Sequence, residues 1–239
     1  MLITMNDCSE IKFYSTLPHP CSYIDDTPAV TIFMDPEEKI NRAQTTILSE
    51  LGFRRSGTHI YRPSCPTCQA CIPVRLPVHK FKAKKSARRT LKRNSDVSTE
   101  WIESIDNDEC FELYQRYINE RHSDGDMFPA TRDQYQKFLV NGLEVTKYVA
   151  FRVDGKLIAI AVMDQLDDGY SAVYTFFSPN LSERSLGRYA ILWQIEMCTK
   201  AKLPYLYLGY WIRDCDKMSY KTQYRPVEMY TNNRWIHVE

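Results

Sequence analysis

Nothing in this chain of 239 residues is long and apolar enough to span a bilayer as a helix, which sets aside membrane-embedded channels and pumps. Its opening residues, MLITMNDCSE, lack a basic stretch followed by an apolar one, so no secretory signal is expected and the expected location is cytoplasmic. In that reducing compartment the eight cysteines are expected as thiols, which excludes a disulfide framework. Internal repeats and low-complexity segments are also missing, so a solenoid is excluded and the two halves should pack closely. Net charge is only +1, and if spread evenly it would argue against a nucleic-acid partner.

The charge is not spread evenly. From Lys80 onward the chain reads KFKAKKSARRTLKRN, with Lys80, Lys82, Lys84, Lys85, Arg88, Arg89, Lys92 and Arg93 and no acid among them. Such a block can hold phosphates and release their counterions; the alternative is a solvated helix face balanced by acids elsewhere. Just before it, Cys65, Cys68 and Cys71 stand at two-residue intervals in SCPTCQACIPVR, a spacing at which thiolates converge on a metal ion or an iron–sulfur cluster, with Cys21 as a fourth ligand. No second CxxC pair or closely spaced histidine completes a tetrahedral site, and three thiols around a tight turn is the other reading.

Hydrophobic periodicity organises the rest. IKFYSTL reads as a first strand, and Asp35-Pro36 as the start of a helix with Ile40, Ala43, Ile47 and Leu51 on its apolar stripe and Gly52 closing it. FRRSGTHIYRP reads as a hairpin and VSTEWIE as a strand. Asp106-Asn107-Asp108 leads into a helix carrying Phe111, Tyr114 and Ile118, and Thr131 with Gln134 caps another. YVAFRV, KLIAIAVM and YSAVYTFF form three antiparallel strands joined through Asp154-Gly155 and Asp167-Asp168-Gly169. Ser182 and Glu183 open an amphipathic helix, LYLGYW follows as a parallel strand buried on both faces, and VEMY and RWIHV close as a hairpin around Asn232-Asn233. The expected fold is α/β (α+β): residues 1–100 as a smaller N-terminal α+β domain with the cysteine run and basic stretch, and 105–239 as a transferase domain with a mixed sheet.

That element order resembles the second half of a GNAT-type acyltransferase, whose donor lies where two central strands splay and whose pyrophosphate sits on the crossover helix. The matching phosphate loop here offers Arg184, Gly187 and then Tyr189 in place of a small residue. A tyrosine ring there is expected to crowd a pyrophosphate and disfavour coenzyme A.

HPCSYI, RPSCPTCQACIPVR, KSARRTLKRN, YINERHSDGDM and GYWIRDCDKMSYKTQYRP together resemble the bacterial branch of the arginyl-tRNA–protein transferase family over nearly the whole chain. The resemblance implies a cytoplasmic enzyme that moves leucine from leucyl-tRNA to proteins with N-terminal Asp or Glu, marking them for degradation. Arginine as donor, a coenzyme A-dependent acetyltransferase and a non-enzymatic nucleic-acid-binding protein are the alternatives. Eukaryotic members carry a CxxC at the first cysteine site; here Cys21-Ser22-Tyr23-Ile24 lacks the second thiol and Ala70-Cys71 stands where adjacent cysteines belong, so no cofactor is expected.

An aminoacyl ester is already activated, and the acceptor's own α-amine attacks it. With an ordinary pKa of about 7.7–8.0 that amine needs a base, and the oxyanion needs fixed donors. His122 and Asp216 are candidate bases, Tyr174 a candidate phenol near the ester, and Lys221 a catalytic cation after the strand that ends at the crevice. Arg75, Arg121, Tyr220 and Arg225, together with Lys217, are candidates for binding the acidic acceptor. Lys84, Lys85, Arg88, Arg89, Lys92, Arg93, Arg184 and Arg188 are candidates for tRNA contact.

Overall fold

The computed structural model describes residues 11–239, leaving aside the side chain of Lys217. The opening MLITMNDCSE stretch and the Lys217 ammonium therefore lie outside the described residues. The described residues open with β1 (Phe13–Ser15), the short pair β2 (His19–Pro20) and β3 (Pro28–Ala29), and β4 (Thr31–Met34). Helix α1 (Arg42–Glu50) and the hairpin β5 (Arg54–Ser56) and β6 (His59–Pro63) follow. Next come β7 (Ile72–Pro77), the basic helix α2 (Lys85–Arg93), β8 (Ser98–Ile102), α3 (Asp108–Arg121) and the short α4 (Arg132–Tyr135), which continues as a π-helical turn over Gln136–Val140. The second half holds β9 (Thr146–Val153), β10 (Lys156–Gln165), β11 (Gly169–Phe177), α5 (Leu186–Lys200) and β12 (Tyr205–Trp211). The short α6 (Asp216–Ser219), a 3-10 turn over Tyr220–Gln223 and the hairpin β13 (Val227–Thr231) and β14 (Arg234–Val238) complete it.

The expected order of three antiparallel strands, a crossover helix and a parallel fourth strand is present, inside an eight-stranded sheet ordered β14-β13-β7-β12-β11-β10-β9-β8. Asp154 and Gly155 both take positive φ (49° and 77°), as do Asn232 and Asn233 (52° and 58°), the backbone that a two-residue hairpin turn demands. One face of the sheet buries Phe151, Ala161 and Met163 against Leu186, Ala190 and Trp193 of α5. The other buries Ala150, Ile160 and Val162 against Tyr114 and Ile118 of α3 and Tyr135 of α4. A smaller sheet, β1-β4-β6-β5, closes over Met34, Leu48, Phe53 and Ile60. Among the described residues no helix is long and apolar enough to cross a membrane.

Two helix starts need correction, and the large sheet draws strands from both sides of residues 100–105, with β7 between β12 and β13 and β8 at the edge beside β9. Pairing across the whole chain length leaves no trace in local periodicity. Helix α1 starts at Arg42, not at Asp35-Pro36: Asp35 spends its side chain on Glu37 N–H in a turn, while Asn41 and Gln44 form a reciprocal capping box. Helix α5 starts at Leu186, not at Ser182. Residues Pro179–Arg184 form a 3-10 turn, and Ser185 breaks the path with φ 53°, while Arg184 is held from outside by Asn94 and Asp96.

Candidate active site

Strands β11 and β12 run in parallel for only three rungs, Gly169 with Tyr205, Tyr170 with Leu206 and Ser171 with Tyr207, and then part. Beyond the last rung the facing backbone groups lose their partners, and such groups must be satisfied from elsewhere. Arg54 of β5 enters that gap. Its guanidinium donates to Ser171 Oγ at 2.8 Å and to the carbonyl of Ala172 at 2.6 Å. On the β12 side it lies against Gly209, where an added Cβ would stand 3.3 Å from Arg54 Nε and φ is 82°, so glycine answers both demands. Burial pulls the Arg54 guanidinium below its ordinary value, and the phenols of Tyr210 and Tyr61 act in the opposite direction.

At the far end of β12 stands Lys221, only 5% exposed. Its Nζ donates to the backbone carbonyl of Tyr210 and lies 3.0 Å from Met218 Sδ, in a setting with no carboxylate bonded to it among the described residues. Burial, reinforced by the positive charge of Arg54 and opposed by the thiols of Cys215 and Cys71, pushes the Lys221 amine down to about 7. The Tyr220 ring lies 5.7 Å from the same nitrogen, and burial raises its phenol, keeping it a donor at neutral pH.

The opposite wall comes from the end of α3 and the outer half of β11. Tyr117 packs on Phe177 and on His122, each at 4.8 Å between ring centroids, and more loosely on Tyr174 at 6.3 Å. Tyr220 is close enough to Tyr117 to raise its phenol further, which ties the two walls together. Arg121 is exposed with its guanidinium over the Phe177 ring at 5.3 Å, and among the described residues no acid pairs with it. Tyr174 packs edge-on to Phe138 and turns its hydroxyl toward Met127 Sδ at 3.9 Å, and burial pushes its phenol well above the ordinary value.

Helix α2 buries Ala87 and Thr90, so Lys85, Arg88, Arg89, Lys92 and Arg93 all face outward, joined by Lys84 at the cap. Arg188 in the first turn of α5 donates to Ser86 Oγ at 3.0 Å and acts electrostatically on Tyr224, one turn from Lys221. The basic face and the crevice are therefore neighbours. Arg93 also donates to the Glu183 carbonyl, and Arg184 is bound to both oxygens of Asp96 at 2.8 Å.

Family models described as "Arginine-tRNA-protein transferase, N terminus" and "Arginine-tRNA-protein transferase, C terminus" match residues 19–89 and 109–231. The chain belongs to the arginine-tRNA-protein transferase family. It is 52% identical over 236 residues to the aspartate/glutamate leucyltransferase of Teredinibacter turnerae, covering 98% of this chain and 97% of the relative. The protein of that name from Hahella chejuensis is 53% identical over 232 residues, covering 97% of this chain and 99% of the relative. Among solved structures the chain is similar to L-PGS from Bacillus licheniformis, with a TM-score of 0.49 at 9% identity over 70% of this chain and 62% of that one.

Of the residues singled out from the sequence, Lys221 and Tyr220 stand beyond the end of β12, Arg121, His122 and Tyr174 stand around Tyr117 at the end of α3 and on β11, and the others lie elsewhere. Arg75 sits at the other end of the sheet, opposite Tyr207. It is ion-paired to Glu228 at 2.7 Å, hydrogen-bonded to the Tyr207 hydroxyl at 3.3 Å, and stacked 3.6 Å from the Tyr205 ring and 4.3 Å from that of Trp235. Its charge is paired there with Glu228 and packed between aromatic faces. Asp216 opens α6 as an exposed residue whose carbonyl accepts from Ser219 Oγ at 3.0 Å. Arg225 donates to the carbonyls of Thr222 at 3.0 Å and Glu239 at 2.5 Å, tying down the C-terminus. His122 caps α3 through its backbone N–H to Ile118. Tyr189 is buried edge-on to Phe151 at 5.8 Å, so the expected crowding of the start of α5 by its ring does not occur.

Cys21, Cys65, Cys68 and Cys71 line one cavity of about 370 Å³ with Arg62, Tyr230 and Asn232. Burial and the neighbouring thiols push Cys71 up to about 12, and Cys65 exchanges hydrogen bonds with the backbone of Val30 at 3.4 and 3.7 Å. Among the described residues no three Cys, His, Asp or Glu side chains converge as a metal site requires, so this set does not fit a metal as it stands. Arg54 was not among the residues singled out from the sequence. The available signal was the adjacent pair Arg54-Arg55 in a strand flanked by Phe53 and Ile60: alternation sends adjacent side chains to opposite faces, so a strand packed on both sides must bury an arginine.

Proposed function

We propose that the protein transfers leucine from leucyl-tRNA to the α-amine of proteins that begin with Asp or Glu, giving them an N-terminal leucine that marks them for proteolysis in the cytoplasm. The observation that carries this reading is the match to aspartate/glutamate leucyltransferases along nearly the whole chain, and the buried Lys221 amine, held by the Tyr210 carbonyl and pushed down to about 7, supplies the chemistry. A neutral lysine there can take a proton from the acceptor's ammonium. The freed amine attacks the ester carbonyl, a C–N bond forms, and the Lys221 ammonium gives the proton it took to the departing ribose oxygen as the C–O bond breaks; the amine so regenerated takes the second proton that the nitrogen sheds and passes it to solvent. The Tyr220 hydroxyl serves as a donor to the oxyanion. Arg121 supplies the cation for the acceptor's carboxylate, and the outward face of α2 with Arg188 carries the acceptor stem of the tRNA. The names of the two relatives, aspartate/glutamate leucyltransferase, support the donor and acceptor.

The test is transfer of labelled leucine from leucyl-tRNA to a peptide starting with Asp, for the native chain and for Lys221→Ala. A fall in turnover of about a hundredfold or more, with tRNA affinity kept, is expected for removal of a general base. Native-like turnover in Lys221→Ala would sink the role of the lysine, and transfer of arginine in preference to leucine would sink the donor.

A further inference from the structure

The crevice is built around a charge that acceptor binding does not use. Where β11 leaves β12, the Ala172 carbonyl has no strand partner, and Arg54, arriving from the N-terminal hairpin, supplies one while bonding Ser171 Oγ in the same fork. The other side of the fork rests on Gly209, two residues from the end of β12. One residue further, the Tyr210 carbonyl holds Lys221. A single guanidinium thus spans the gap between the strands and stands beside the amine whose orientation β12 sets.

We infer that Arg54 is a positioning residue of the transferase site: it wedges the two strands apart at a set width and keeps a fixed positive charge next to the Lys221 amine. The inference rests on the reading of Lys221 as the proton acceptor. An ammonium could not replace the fork, because reaching Ser171 Oγ and the Ala172 carbonyl together needs two divergent N–H groups on one plane. Lys221 is faced by Arg54 from β5, by the Tyr210 carbonyl from β12, by Met218 from α6, by Cys71 ahead of β7 and Cys215 ahead of α6, and by the Tyr220 ring on its own turn. Among the described residues Arg54 is the cation of this set. Its repulsion adds to burial in favouring the neutral amine, and an uncharged side chain at 54 would remove that part.

The experiment compares native protein, Arg54→Gln and Arg54→Lys, each checked for its melting temperature. It reads the pH profile of kcat/KM for leucyl transfer and, without activity, the 13Cε signal of Lys221, assigned by its disappearance in Lys221→Ala. In Arg54→Gln the acidic limb and the Lys221 signal should both move up by about one pH unit, a loss of about fivefold at pH 7 that more alkaline buffer recovers, on top of the pH-independent loss of kcat that comes with the broken fork. In Arg54→Lys the limb should stay while kcat falls about tenfold at every pH, because charge is kept and the fork is broken. An unmoved limb and signal in a folded Arg54→Gln would overturn the inference. Should that variant not fold, native kcat in Arg54→Lys would overturn it instead. If the Lys221 signal moves as expected while Lys221→Ala retains full turnover, the inference about Arg54 stands and the catalytic reading of Lys221 fails.

Discussion

Arg75 and Arg121 are the same side chain in opposite circumstances. Arg75 is buried with Glu228 and between aromatic faces, so its positive charge is neutralised inside the fold. Arg121 lies exposed over Phe177 at the crevice wall with no acid paired to it among the described residues. A charge-assisted fork to one carboxylate contributes about 1.5–3 kcal/mol, or roughly ten- to hundredfold in kcat/KM. Arg121→Gln is therefore expected to lower kcat/KM for peptides starting with Asp by that factor while changing Asn-starting peptides little, as read by competition between the two. An unchanged Asp-to-Asn ratio would remove Arg121 from acceptor recognition. Which arginine was available could not be read from the sequence, because the difference is whether an acid 153 positions away in the chain comes to lie beside it.

At the scale of elements, the basic stretch was legible as a run of charges without an acid, and the structure forms it into helix α2 with Ala87 and Thr90 on the buried side. What the structure adds is which charges remain available. Arg88, Arg89 and Lys92 are exposed, Arg93 is exposed with one bond to the Glu183 backbone carbonyl, and Arg184 is paired with the Asp96 carboxylate. Replacing Arg88, Arg89 and Lys92 with glutamine should weaken leucyl-tRNA binding and flatten its dependence on salt, by about 0.7–0.9 in logarithmic slope for each phosphate no longer neutralised. Arg184→Gln should change that slope less than any one of the three, since most of its charge is already spent on Asp96. Titrations of binding against potassium chloride give both slopes, and equal effects would mean that the tRNA displaces Asp96.

For the molecule as a whole, the small N-terminal sheet matters because it delivers Arg54 to the gap in the large one. The next residue fastens it there. Arg55 makes a two-bond pair with Asp164 of β10 at 2.8 Å, with side chains 3% and 4% exposed, and also bonds the Gly57 carbonyl at 2.9 Å. Removing one partner leaves the other charge buried and alone, which costs about 3–5 kcal/mol. Arg55→Ala should lower the urea midpoint accordingly and reduce transfer along with it, because the hairpin that carries Arg54 is no longer anchored. Destabilisation under about 1 kcal/mol would mean that the two sheets are held by other contacts.

The local elements of this chain follow from its sequence alone. The turns at Asp154-Gly155 and Asn232-Asn233, the buried runs of β10 and β12, the cap at Thr131 and the basic helix all depend on residues within a few positions of one another, where propensity and alternation act directly. The position of Lys221 just beyond the end of a strand was legible for a similar reason. The insertion of β7 between β12 and β13, the inward turn of Tyr189, the pairing of Arg75 and the wedge of Arg54 were decided by the tertiary structure. Each depends on segments far apart in the chain meeting in space, where burial makes an orphaned carbonyl or charge costly enough to select one partner.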